Sequence, residues 1–199
     1  MKQRVVIGIS GASGAAIGLR ILERLATIDT VETHLVISSA AEKTLRHEVG
    51  DHALADACVL ADVHYENSAV GSAIASGSFR TTGMIVAPCS MRTLAAIASS
   101  LSDNLLIRTA DVHLKERRRL VLVARESPLH LGHLRSMLQV TEMGAIVAPP
   151  VPAYYQLPQS VADIIDATAA RAIDLVGIDC DLQGASWPGL ERPAAASDL

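Results

Sequence analysis

Short apolar runs alternating with helical segments along the whole chain predict a Rossmann-like, doubly wound α/β domain with a mainly parallel sheet. Three observations carry this reading. Val5–Ile9, Val31–Ile37, Gly83–Pro88 and Leu120–Ala124 are apolar runs of strand length, as buried strands require. The segments between them carry apolar residues at three- and four-residue spacing, as a helix with one buried face does. The first run ends in a tight turn of Gly, Ser and Ala and resumes as a helix with Ile17, Ile21, Leu22 and Leu25 on its inner side. A chain of 199 residues can bury one such core by itself.

In order, the strand Val31–Ile37 ends in Ser38 and Ser39, and Ala40–Glu48 reads as a helix with Leu45 inward. Residues Gly50–Thr82 have no firm periodicity and read as a long loop with a short strand at Val59–Val63. Gly83–Pro88 is a strand closed by Cys89 and Ser90, followed by a helix from Thr93 to Ala98. Asn104–Arg117 is a helix, Leu120–Ala124 a strand, His133–Met143 a helix and Ala145–Val147 a strand. Three prolines at 149, 150 and 152 force an extended loop, and Ser160–Val176 makes the last clear helix. Residues 1–183 are expected to form one domain and residues 184–199 a tail carrying the single tryptophan, Trp187.

Composition narrows the function classes. Half the residues are hydrophobic, yet no apolar run approaches the ~20 residues that span a bilayer, so the excess points to subunit interfaces. Val5–Ile9 is too short for the apolar core of a signal peptide, and a cytoplasmic protein is expected. A net charge of −4 argues against general nucleic-acid binding. Cys58, Cys89 and Cys180 are odd in number and far apart, which makes neither a disulfide framework nor a zinc site. His130 and His133 share a helix face but lack a third ligand, so no metal is expected.

In such a sheet, ligands bind beyond the carboxyl ends of the strands. Those ends carry Gly11–Gly14, Ser38, Ser39, Ser90–Thr93, the pair Arg125 and Glu126, and the Tyr154–Tyr155 loop. The first turn points backbone N–H groups and a helix dipole at one spot, which suits a phosphate. Its glycines at 8, 11 and 14 match neither the dinucleotide fingerprint nor a P-loop. No acid follows the second strand to hold a ribose, which disfavours a nicotinamide dehydrogenase. The hydroxyls of Ser10 and Ser13 suit a phosphate monoester; a packing turn of small residues explains the same pattern equally well. Arg108, Asp111 and Lys115 share one helix face, either as an Asp111–Lys115 surface ion pair or as part of a second anion site. Arg108, flanked by Leu105, Leu106, Ile107 and Ala110, is expected to be half buried and to want an anion. Glu126 is either the partner of Arg125 or an acid–base group.

Five segments together are more specific. They are Gly8–Ala15; Pro88-Cys89-Ser90 with Thr93-Leu94; Arg108 through Arg118 with its Ala110-Asp111-Val112 and Leu114-Lys115-Glu116 core; Arg125-Glu126 with Pro128-Leu129; and Pro152-Ala153-Tyr154-Tyr155 with Pro158-Gln159-Ser160. In this order they closely resemble the flavin prenyltransferases of the UbiX type, from about Arg4 to Gly177. The resemblance implies a metal-independent transfer of a dimethylallyl group from dimethylallyl monophosphate to N5 and C6 of reduced FMN. It further implies a homo-dodecamer and a UbiD-type decarboxylase that receives the prenylated flavin. Carried over by motif, Ala12, Ser13, Gly14, Ser38, Ser90, Met91, Arg92, Thr93 and Arg125 hold FMN. Arg108, Lys115, Tyr155 and Arg171 hold the prenyl phosphate, and Ser13, Glu48 and Glu126 are the catalytic residues. Trp187 stands for a family aromatic near the substrate, and Ser136 replaces an Asn found in some members. The related flavin-dependent cysteine decarboxylases share the fold but are expected to carry Pro-x-Met-Asn where this chain reads Pro88-Cys89-Ser90. A non-catalytic flavin carrier leaves the cluster Arg108, Lys115 and Arg171 without a purpose.

Overall fold

The computed structural model describes residues 2–180, so the tail beyond, with Trp187, lies outside the described residues. Six strands form one parallel sheet: β1 (Gln3–Ile9), β2 (Val31–Ile37), β3 (Val63–Glu66), β4 (Gly83–Cys89), β5 (Arg119–Ala124) and β6 (Ile146–Val147). Their spatial order is β3-β2-β1-β4-β5-β6. The order reverses between β1 and β4, and the crevice of a doubly wound sheet opens there. The helices are α1 (Ala15–Leu25), α2 (Ser39–Glu48), α3 (Ala53–Leu60), α4 (Met91–Ala98), α5 (Leu105–Lys115), α6 (Leu131–Glu142) and α7 (Val161–Val176).

Strand alternation builds two cores. β1 sends Val5, Ile7 and Ile9 to the face covered by α1, α2, α3 and α7, and Val6 to the face covered by α4, α5 and α6. β4 is buried along its whole length, which explains why it reads as an uninterrupted apolar run. On α1, Gly18 faces β4 so closely that an added Cβ would overlap the carbonyl oxygen of Ala87. That close approach brings the turn before α1 alongside the end of β4.

The 50–82 segment differs from its expected form. Residues 59–60 end a helix, α3, and the strand begins only at Val63. Ala53 and Ala57, one turn apart, are buried against the first core, so small helix-forming residues supply the packing face. The alternation in β3, whose only strand neighbour is β2, is half-buried and exposed by turns, as on a sheet edge. The remainder of the loop is pinned to α5: the backbone and side-chain oxygens of Asn67 accept from Leu105 N (2.8 Å) and Leu106 N (3.1 Å).

On α5 the Asp111–Lys115 ion pair, one of the two alternatives, does not form. Asp111 pairs with Arg108 (2.8 Å) rather than Lys115, and Lys115 pairs with Glu116 (2.6 Å). His130 is the N-cap of α6, its Nδ1 accepting from Gly132 N, and its ring stacks on His133 at 3.6 Å. Among the described residues no three His, Cys, Asp or Glu side chains are grouped to hold a metal, and no helix is long and apolar enough to cross a membrane.

Candidate active site

The ends of β1 and β4 are stitched by one buried hydroxyl. Ser10, 1 % exposed, donates through Oγ to Pro88 O (3.0 Å) and accepts from Ser90 N (2.8 Å). Its expected part in holding a phosphate is thereby corrected, because its hydroxyl is engaged on both sides beneath the surface. Nothing in the local sequence signals this, since its partners lie almost eighty residues away.

Around this stitch stand three helix N-termini. Ser38 caps α2, accepting from Ala41 N at 3.2 Å, and Ser90 caps α4, accepting from Thr93 N at 3.3 Å while donating to Thr93 Oγ1 at 3.1 Å. A Cβ on Gly11 would overlap Ala40, so the first turn lies directly against α2. Gly14 precedes α1 with φ of 102°, a left-handed conformation that favours glycine.

The N-terminus of α1 is not open. The Glu48 carboxylate, from the last turn of α2, accepts from Gly14 N (2.8 Å) and Ala15 N (2.9 Å) and is hydrogen-bonded by the Ser13 side chain. Burial pushes the Glu48 carboxyl up, but Ser13, the two backbone amides and nearby Arg125 outweigh it and hold it below the usual range. The dipole read from sequence as a phosphate seat is answered by an internal carboxylate. Anion-binding capacity on the rim therefore falls to the starts of α2 and α4 and to Arg125. The Arg125 guanidinium is exposed and makes no hydrogen bond or ion pair among the described residues, while its backbone N–H donates to Cys89 O (3.1 Å).

The rim thus gathers Ala12, Ser13, Gly14, Ser38, Glu48, Ser90, Met91, Thr93, Arg125 and Glu126. Met91 is buried and turned inward, and Arg92 is exposed and paired with Asp103 at 3.0 Å. Glu126 accepts from Ser127 N at 3.0 Å, a local turn contact that leaves Arg125 to other anions.

The cations expected around the prenyl phosphate lie elsewhere in the chain. Tyr155 and Arg171 line a cleft of about 1040 Å³ between α7 and the Pro149–Pro158 loop, which shares no lining residue with the rim. Arg108 sits one turn into α5, half-buried and bound to Asp111. Lys115 closes α5 just before β5 begins, at the end of the sheet opposite the rim. One chain does not bring the four together with Ser13 and Glu48.

A parallel sheet with its switch-point rim lined by helix N-termini and an arginine defines a Rossmann-like binder of a phosphorylated ligand. A family model, Flavoprotein, matches residues 1–177. A flavin prenyltransferase UbiX of Thauera aromatica is 53% identical over 189 residues, 95% of this chain and 96% of that protein. A crystal structure of AnUbiX (PadA1) in complex with FMN and dimethylallyl pyrophosphate is 48% identical, with a TM-score of 0.90 over 96% of this chain and 100% of that one. A dodecameric FMN-dependent UbiX-like decarboxylase from Escherichia coli O157:H7 is 43% identical, with a TM-score of 0.89 over 94% of this chain and 100% of the other. The chain belongs to the Flavoprotein family and, within it, to the UbiX-type flavin prenyltransferases.

Proposed function

We propose that this prenyltransferase moves a dimethylallyl group from dimethylallyl monophosphate to N5 and C6 of reduced FMN, at a site assembled from more than one copy of the chain. The observation that carries the reading is the separation of Lys115 from a rim otherwise built for a flavin phosphate. A homo-dodecamer, the state named for the Escherichia coli relative, brings such surfaces together.

FMN fits the rim in kind: its phosphate is served by Ser38 and the α2 start, and its ring system by Ser13, Ser90–Thr93 and Arg125. When bound, reduced flavin supplies the nucleophilic nitrogen and carbon. The chain's own residues do the rest. Lys115, Arg108 and Arg171 neutralise the phosphate, and the Tyr155 hydroxyl donates to it, as the allylic C–O bond breaks and its electrons leave with that oxygen. Glu48, held ionised by Ser13, Gly14 and Ala15, draws a proton from the flavin nitrogen through the Ser13 hydroxyl. Glu126, exposed beside Arg125, would give a proton to the prenyl double bond left after the first bond forms, so that the carbon charge arises where C6 attacks, and would take back the proton that C6 then loses.

The product passes to a UbiD-type decarboxylase, and the enzyme works in the cytoplasm. The test is anaerobic incubation with reduced FMN and dimethylallyl monophosphate, then mass measurement of the released flavin. A flavin heavier by one prenyl unit is expected. Unmodified FMN released from a flavin-loaded protein would refute the proposal.

A further inference from the structure

Lys115 and Glu116 adjoin in sequence, yet their side chains meet at 2.6 Å. Consecutive helical residues diverge; the contact forms because Glu116 is the C-cap of α5, where the helix ends. The pair does not extend freely into solvent. It lies on the backbone of the 76–81 loop at Gly77, where an added Cβ would overlap the Glu116 carboxylate and stand 2.8 Å from the Lys115 Nζ.

That loop is clamped from beneath. The Arg118 guanidinium donates to Gly77 O (2.6 Å), Phe79 O (2.7 Å) and Thr81 Oγ1 (3.3 Å). Thr81 Oγ1 is joined to His113 Nε2 at 2.8 Å, and His113 Nδ1 to Thr109 O at 2.8 Å, inside the second core's helix. The Lys115–Glu116 pair therefore rests on a fixed platform, and its ammonium is neutralised before any substrate arrives.

We propose that Glu116 is the resident counter-ion of Lys115, displaced by the incoming prenyl phosphate, and that side-chain-free Gly77 is the seat that holds the pair in position. Glu116 thereby tunes phosphate affinity and screens Lys115 from weaker anions. This rests on the assignment of Lys115 to the prenyl-phosphate site. A phosphate dianion outcompetes a single exposed carboxylate, because exposed ion pairs are weak.

The experiment measures anaerobic prenyl transfer by the full-length assembly, with KM for dimethylallyl monophosphate, kcat, FMN affinity and the Ki of inorganic phosphate. Glu116→Gln is expected to lower both KM and Ki about two- to five-fold, the strength of an exposed pair, with kcat and FMN affinity unchanged. Gly77→Ala is expected to raise KM while folding normally, since the atoms it displaces are flexible side-chain ends. If Glu116→Gln leaves KM and Ki unaltered while Lys115→Ala raises KM, the counter-ion role is wrong and the Lys115 assignment stands. If Lys115→Ala leaves KM unaltered, that assignment falls and the counter-ion role falls with it.

Discussion

The division of the site between protomers is tested most directly by complementation. Within one chain the rim and Lys115 are separated by the length of β1, seven residues, or roughly 23 Å at about 3.3 Å per residue. A single five-carbon phosphate cannot reach both. Glu48→Gln disables a rim and Lys115→Ala disables a phosphate grip, and each homo-oligomer is expected to be nearly inactive. Co-expressed in equal amounts, the two variants mix at random. Each site then draws its rim from one protomer and its lysine from another, so about one site in four is intact. The mixture should show about a quarter of the wild-type rate in the flavin-mass assay. A second mixture sharpens the result: wild type with a chain carrying both substitutions should also give about a quarter, not the half that a one-chain site requires. Zero activity in the first mixture and half in the second would refute the shared site, provided size-exclusion chromatography shows mixed oligomers.

Further predictions follow from the charges and hydrogen bonds. Burial lowers His113 from 6.5 to about 4, so the unfolded chain binds a proton that the folded one refuses. Stability is full above about pH 6.5, falls with falling pH and levels off near pH 4. At about 1.4 kcal/mol per tenfold change in proton affinity, the loss is about 3 kcal/mol. Urea unfolding of wild type and His113→Gln should show the difference between them shrinking by that amount across the window; a constant difference would count against it. Asp166, bound by Arg20 (2.6 Å) and Arg24 (2.7 Å), is lowered to about 2 by Arg24, with Arg20 adding. It ties α7 to α1 above about pH 4, and that contribution is lost as pH falls through about 2. Because the carboxylate is a third exposed, Asp166→Asn should cost only about 1 kcal/mol at pH 7, measured as a shift in urea midpoint. Ser10→Ala removes the stitch and leaves Ser90 N unpaired in the interior, while Pro88 O keeps the Ser10 backbone N–H (3.2 Å), at a cost of about 1–3 kcal/mol. FMN affinity, read by fluorescence quenching, should weaken with it; unaltered affinity would show that the rim does not depend on Ser10.

The sequence carried the layered architecture because strand and helix periods are local. Val5–Ile9 and Gly83–Pro88 read as buried strands since covering helices demand apolar residues on both faces. Residues 53–60 were misread because their helical face is made of alanines, which give little hydrophobic contrast. Most of the rim was also legible, since a parallel sheet places every strand's carboxyl end on one side, but the Tyr154–Tyr155 loop expected there lines a separate cleft with Arg171. What the rim residues do there was not. Ser10 and Ser13 look alike in the turn, yet one is engaged across β1 and β4 and the other hydrogen-bonds Glu48. The order β3-β2-β1-β4-β5-β6 decides that.

The sequence by itself determined the fold class, the family and the kinds of group at the strand ends, because each is written in short-range patterns. Only the tertiary structure decided that the α1 dipole is capped by Glu48 rather than open to phosphate. It alone decided that Lys115 stands at the far end of the sheet from Ser13. Both depend on the tertiary arrangement: Glu48 reaches Gly14 and Ala15 more than thirty residues away, and Lys115 ends a helix that runs directly into the start of β5, the end of the sheet away from the rim.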